Sequence, residues 1–327
     1  MTQIASSETI RAAFHNVSVT DVHGRPMQLT RNGEQFFAEF DDPDLDARTT
    51  TAQRITREVV MVTGSHNQQI YWYATGRSRL LGQLPGAYLI DEQRWIPRRA
   101  AVLHAPNMPV FSETGHWNAV CISCHATNGK PEFDTPFGSR PIGDQTVQSR
   151  VAEFGIACEA CHGPADAHIA KNRNPLRRYQ LHLSGAADAT TTQPSQLPAR
   201  LSSQVCGQCH GIWEFARPAD ERAANSRGLA YRPGAELRDS RLLVQPTRNG
   251  DAPEVQQILA DDPNFIRDAF WPDGMVRVSG REYNGLIESP CFTHATDESR
   301  TLSCFSCHTM HKSADDSRPA GEWANDQ

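Results

Sequence analysis

The chain has 327 residues, 32 of them basic and 38 acidic, and carries a net charge of −6. Its mean hydropathy of −0.55 and the lack of any apolar run of membrane-spanning length describe a soluble chain, large enough for one big domain or two modest ones. The negative balance argues against nucleic acid as a partner and for a basic one.

Residues 1–115 contain no cysteine but several strand-like runs. After the Asn32-Gly33 turn signal come Gln35 to Phe40, Glu58 to Thr63, Gln69 to Thr75, and Ala87 to Ile90 leading to Arg94-Trp95-Ile96. They predict a β-rich lobe, with His66 at an exposed turn between two of the runs. Residues 116–327 read differently. Connections such as Phe133 to Asp144 are rich in Gly, Pro, Asp and Asn, with few long amphipathic periods. Short helices are expected there, over Val151 to Cys161 and Ser202 to His210. The fold class expected is α+β with low regular secondary structure: a β-rich N-terminal lobe over 1–115, and a loop-rich, short-helix region over 116–327.

That second region holds four copies of one five-residue pattern: Cys121-Ile-Ser-Cys124-His125, Cys158-Glu-Ala-Cys161-His162, Cys206-Gly-Gln-Cys209-His210 and Cys304-Phe-Ser-Cys307-His308. A structural zinc site could be built from two Cys-x-x-Cys pairs, but nothing would then require histidine directly after each second cysteine. A redox dithiol usually occurs once, at a helix start. Two thiols at this spacing suit addition across the vinyl groups of a porphyrin, and the next histidine suits the iron on one face. The motifs therefore predict four covalently attached haem c groups, with His125, His162, His210 and His308 as proximal ligands. Four pairs of propionates would add roughly eight negative charges.

The opposite face of each iron decides between a relay and a catalyst. His168 and His311 lie a few residues past their own motifs, too close to wrap round to their own iron but able to reach a neighbouring haem, so both are candidate distal ligands. So is His66. His116, His182 and His294 are weaker candidates, and His15, His23 and His104 read as surface or packing residues. Met108, Met275 and Met310 are more simply gap-fillers. Cys291, the odd cysteine, reads as a buried thiol. Tyr231-Arg232-Pro233-Gly234 and Trp271 to Met275 look like turns packed on porphyrin faces, and the polar cluster Gly280 to Gly285 like a structural one whose arginine meets haem propionates.

Four segments carry a resemblance: Thr63-Gly64-Ser65-His66; Trp117-Asn118 leading to Cys121; Phe154 to Pro164 with His168; and Ser289-Pro290-Cys291 before Cys304. From about Val59 onward the chain resembles the multihaem cytochrome c family related to cytochrome c-554. The resemblance implies a periplasmic or extracellular protein exchanging electrons with redox partner proteins. It also implies, as the alternative, an oxidoreductase with one open haem acting on a small nitrogen or sulfur compound, where Arg281, Tyr283 or His294 would supply protons or charge. No lysine replaces a proximal histidine. A subunit of a haem filament is a third idea, for which no assembly signal is visible. Haem attachment of this kind takes place outside the cytoplasm, yet Met1 to Ser7 carries no export signal. An excerpt of a longer chain is therefore expected, and the abrupt end at Glu322 to Gln327 agrees with that.

Overall fold

The computed structural model describes residues 2–20, 25–42, 53–64, 66–101, 115–135, 144–293 and 300–311. Two compact units arise: Met1–Gly155 with Arg222–Leu229, and Ile156–Glu221 with Ala230–Gln327. The Cys121 motif lies in the first, the other three motifs in the second.

The first unit is built on one antiparallel sheet: β1 (Thr2–Ile4), β2 (Val17–Thr20), β3 (Pro26–Asn32), β4 (Gln35–Asp41), β5 (Arg54–Thr63), β6 (Gln68–Ala74), β7 (Leu81–Leu89) and β8 (Arg94–Pro97). Strands β2 to β8 pair in sequence order, and β1 pairs with the end of β5. Each of the predicted runs is a strand. The sheet also takes in β1, β2 and β3, which had not been read from the sequence.

Side chains alternate across the pleat, and the sheet uses both faces. Phe36, Ala38 and Phe40 of β4 join Tyr71, Tyr73, Met27 and Leu29 in one core. The opposite face carries Met61 and Trp72, against which Trp117, Ile122 and Ala126 pack. Register shifts between Val59 and Met61 and between Ile70 and Trp72 are bulges, which re-aim side chains on the two central strands. The second face is therefore the seat of the first Cys-x-x-Cys-His motif.

The second unit is made of short helices and turns, among them α2 (Cys158–His162), α3 (Asp166–Asn172), α4 (Pro175–Ser184), α5 (Ala199–His210) and α6 (Glu282–Glu288); α1 (Ile122–His125) belongs to the first. Its apolar clusters are small: one joins Tyr231, Leu237, Tyr283 and Ile287, another Val244, Val255, Ala269 and Phe270. The helix expected over Val151 to Cys161 begins only at Cys158. Gly155 has φ +82°, and Glu153–Phe154 pair as a strand with Ala126–Thr127, so the chain arrives at the second motif extended.

Candidate functional site

In the first unit the motif is placed by the residues just before it. Trp117–Cys121 forms a wide π-type turn that runs into α1. The side chain of Asn118, 1% exposed, accepts from Leu81 N at 2.9 Å and donates to the Arg79 carbonyl at 3.1 Å and to Ser149 Oγ at 2.8 Å. That ties the motif to β7. Gly155 N closes on the His125 carbonyl at 3.0 Å, and the His125 side chain is exposed. His66, at the turn before β6, is exposed too.

In the second unit three motifs meet. Gln208, between the cysteines of the third, donates to the carbonyl of Ala160 in the second at 2.9 Å. Cys206 of the third stands beside Cys304 of the fourth, and the contact pushes the Cys206 thiol up and the Cys304 thiol down. The fourth motif sits on a tight turn, Cys304–Ser306, closed by a reciprocal Ser303–Ser306 capping box. The rings of His162 and His311 face each other with centroids 5.9 Å apart and planes 21° off parallel.

Three of the histidines are oriented through Nδ1. His162 Nδ1 lies 2.7 Å from the Thr192 carbonyl, while Thr192 N and Thr191 Oγ1 donate to the His162 carbonyl at 3.1 and 3.2 Å. Gly163, at φ +77°, turns the chain out of α2 directly after it and is suited to that conformation as no β-carbon residue is. His210 Nδ1 lies 2.8 Å from Glu282 Oε2, and that contact holds the Glu282 carboxyl down at about 2. His168 Nδ1 lies 3.3 Å from Asp188 Oδ2. The Asp188 carboxylate is held well below its usual range by the Thr190 hydroxyl, then by Asn172, the Thr190 N–H and Arg177. A histidine anchored through Nδ1 presents Nε2, the arrangement that metal-bound histidines adopt.

The donor set fits haem c. The buried hydroxyl of Tyr231, a residue 5% exposed, has no hydrogen-bond partner among the described residues and lies within electrostatic reach of Cys206. A β-carbon on Gly207 would stand 2.5 Å from Tyr283 Cδ1, so the backbone between the third pair of cysteines is pressed against an aromatic wall. Among the described residues no three His, Cys, Asp or Glu side chains form a cage for a bare metal ion.

Of the other residues singled out from the sequence, Arg281 donates to the Cys209 carbonyl at 2.8 Å, and Met275 and Met310 are exposed. Trp271, expected against a porphyrin, is 54% exposed under the Arg277 guanidinium at 4.8 Å. Cys291 is a correction. Instead of being buried it is exposed, because on the short helix Pro290–Thr293 it is the neighbouring Phe292 that packs against the Tyr231 cluster. His23, His104, His294 and Met108 lie outside the described residues. Sequence reasoning missed Asp188 and Thr192, which nothing local marks, and Glu282, for which the polar cluster Gly280 to Gly285 was the available signal.

No protein-family profile matches the chain, and no curated protein matches it in sequence. Two solved structures are similar to it. The outer cell wall cytochrome OcwA is 18% identical, with a TM-score of 0.43 over 78% of this chain and 51% of that one. The undecahaem cytochrome from the S-layer of Carboxydothermus ferrireducens is 16% identical, with a TM-score of 0.31 over 77% of this chain and 32% of that one. The chain thus spans about half of the first protein and a third of the second. No helix among the described residues is long and apolar enough to cross a membrane.

Proposed function

We propose that the chain is a tetrahaem c-type cytochrome of the periplasm or cell exterior that relays single electrons between redox partner proteins. In this reading the four attachment sites lie in residues 116–327 and leave 1–115 haem-free. The observation that carries it is the meeting of three motifs, far apart in sequence, through Cys206–Cys304, Gln208–Ala160 and His162–His311. When bound, haem c supplies a one-electron iron couple whose potential follows axial ligation, burial and nearby charge.

The residues of the chain do the placing. The closeness of the His162 and His311 rings supports His311, three residues beyond its own motif, as a candidate distal ligand of a haem held at the second motif. His168, fixed by Asp188, and His66 are the remaining distal candidates. Glu282 makes His210 a more basic ligand by accepting its Nδ1 proton.

A second reading, an oxidoreductase with one open haem acting on a small nitrogen or sulfur compound, is favoured by one observation. Arg281 and Tyr283 both stand against the third motif, where they could supply charge or a proton to a bound anion. Low-temperature electron paramagnetic resonance of the oxidised, haem-loaded protein separates the two. Low-spin signals for all four haems are expected. A high-spin signal amounting to one whole haem would instead favour the oxidoreductase.

A further inference from the structure

A cleft of about 580 Å³ in the second unit is lined by four guanidiniums, those of Arg200, Arg238, Arg241 and Arg248, and by one carboxylate, Glu236. Counting Glu288 beside Arg248, the cluster keeps a local net of +2 in a chain of net charge −6. Glu236 accepts from Arg200 at 2.6 Å and from Gln204 at 3.2 Å, with Arg238 Nε 3.8 Å away. Arg248 reaches Glu288 at 3.1 Å. Arg241, 2% exposed, donates to the Gln208 carbonyl at 2.6 Å and lies 4.0 Å over the Trp213 ring. The rest of the wall is largely apolar: Leu243, Ile287 and Phe292, with the Tyr283 ring.

Two of the lining residues, Arg241 and Tyr283, touch the third motif. Arg200 and Gln204 stand on α5 ahead of Cys206, Arg241 grips the carbonyl between Cys206 and Cys209, and Tyr283 backs Gly207. A cationic rim above an apolar wall recognises one chemistry: a planar, apolar body ending in carboxylates, which guanidiniums bind in bidentate fashion.

We propose that this cleft is a carboxylate-binding site for a planar apolar anion held beside the third motif. Resting on the four-haem reading, it has two sources of such an anion: the propionate edge of a haem attached to this chain, or a free aromatic carboxylate. The test uses haem-loaded protein and the variant Arg238→Gln/Arg248→Gln, whose parent side chains are 80% and 51% exposed and so tolerate change. Redox titration followed by absorbance is paired with calorimetric titration of naphthalene-2,6-dicarboxylate. If a propionate fills the cleft, the variant lowers the midpoint potential of one haem, because a less compensated carboxylate stabilises the oxidised iron, and the probe does not bind. If a free anion fills it, the probe binds the parent saturably, at least tenfold more weakly in the variant, and the potentials stay in place. Unchanged potentials together with no difference in probe binding would overturn the proposal. The lysine variant Arg238→Lys/Arg248→Lys, which keeps the charge but not the bidentate fork, restores the potentials and only part of the probe affinity. Haem content of the same preparations, expected at four per chain, reports separately on the functional reading.

Discussion

Among the described residues the ring of His311 meets that of His162, and that contact makes His311 informative. On the tetrahaem reading, replacing it with alanine should leave four haems attached, since no thiol is touched, while converting one of four low-spin signals to high spin in the paramagnetic resonance spectrum. An unchanged spectrum would remove His311 from the ligand set. A second residue-scale expectation concerns Glu236, whose carboxyl is lowered from its ordinary 4.5 to about 2, mainly by the Arg200 hydrogen bond. A depressed folded value means that the pair stabilises the fold above the unfolded value and stops doing so as the pH falls through about 2. Glu236→Gln should therefore lower stability at neutral pH by less than about 1 kcal/mol, as partly exposed pairs do. The difference from the parent should vanish near pH 2 in urea unfolding followed by circular dichroism. What was legible at this scale was the repeated Cys-x-x-Cys-His pattern, complete within five residues. What orients those residues was not, since Thr192 comes to His162 from 30 positions away and Glu282 to His210 from 72.

At the level of elements, the strands were visible wherever apolar and polar residues alternate, as in Phe36, Ala38 and Phe40. Strand β2 is only partly buried, and a short edge strand leaves a weak pattern. The helix expected before Cys158 failed for a local reason: Gly155 occupies a left-handed conformation and strand pairing claims Glu153 and Phe154. Asn118 shows how an element can hang on one side chain. It is buried and bonded to three partners on or beside β7. Asn118→Ala would leave the Leu81 N–H buried without its acceptor, at a cost of about 1–3 kcal/mol. The expected result is a lower unfolding midpoint in thermal melts, with the Cys121 motif the first to lose haem occupancy by peptide mass mapping. Equal stability and full occupancy would mean that the motif is held by Trp117 and Ile122 packing alone.

Across the whole molecule the governing quantity is charge. A net −6 before any cofactor is counted gives a field that attracts cations at distances up to a Debye length, about 8 Å at physiological salt. Reduction of the haem-loaded protein by a cationic small-molecule reductant should slow as salt is added, and reduction by an anionic one should quicken. Stopped-flow absorbance at low and high ionic strength reads both trends. The same slope with both reductants would show that entry is governed by a local patch, with the arginine-lined cleft the first place to look. Cys209 and Cys304 are separated by a long interval in sequence, and distance in sequence says nothing about distance in space. The turn at Cys304–Ser306 returns to α5, a contact between distant segments that no local pattern encodes.

That return has a bearing on how the protein is made. Cys206 and Cys304 belong to different Cys-x-x-Cys-His motifs, yet they stand side by side in the fold. A chain that folded first, in an oxidising compartment, would hold two sulfurs side by side where a cross-link competes with thioether formation. On the tetrahaem reading, the chain is therefore best still open at these two segments when the porphyrins are captured, with tertiary closure following.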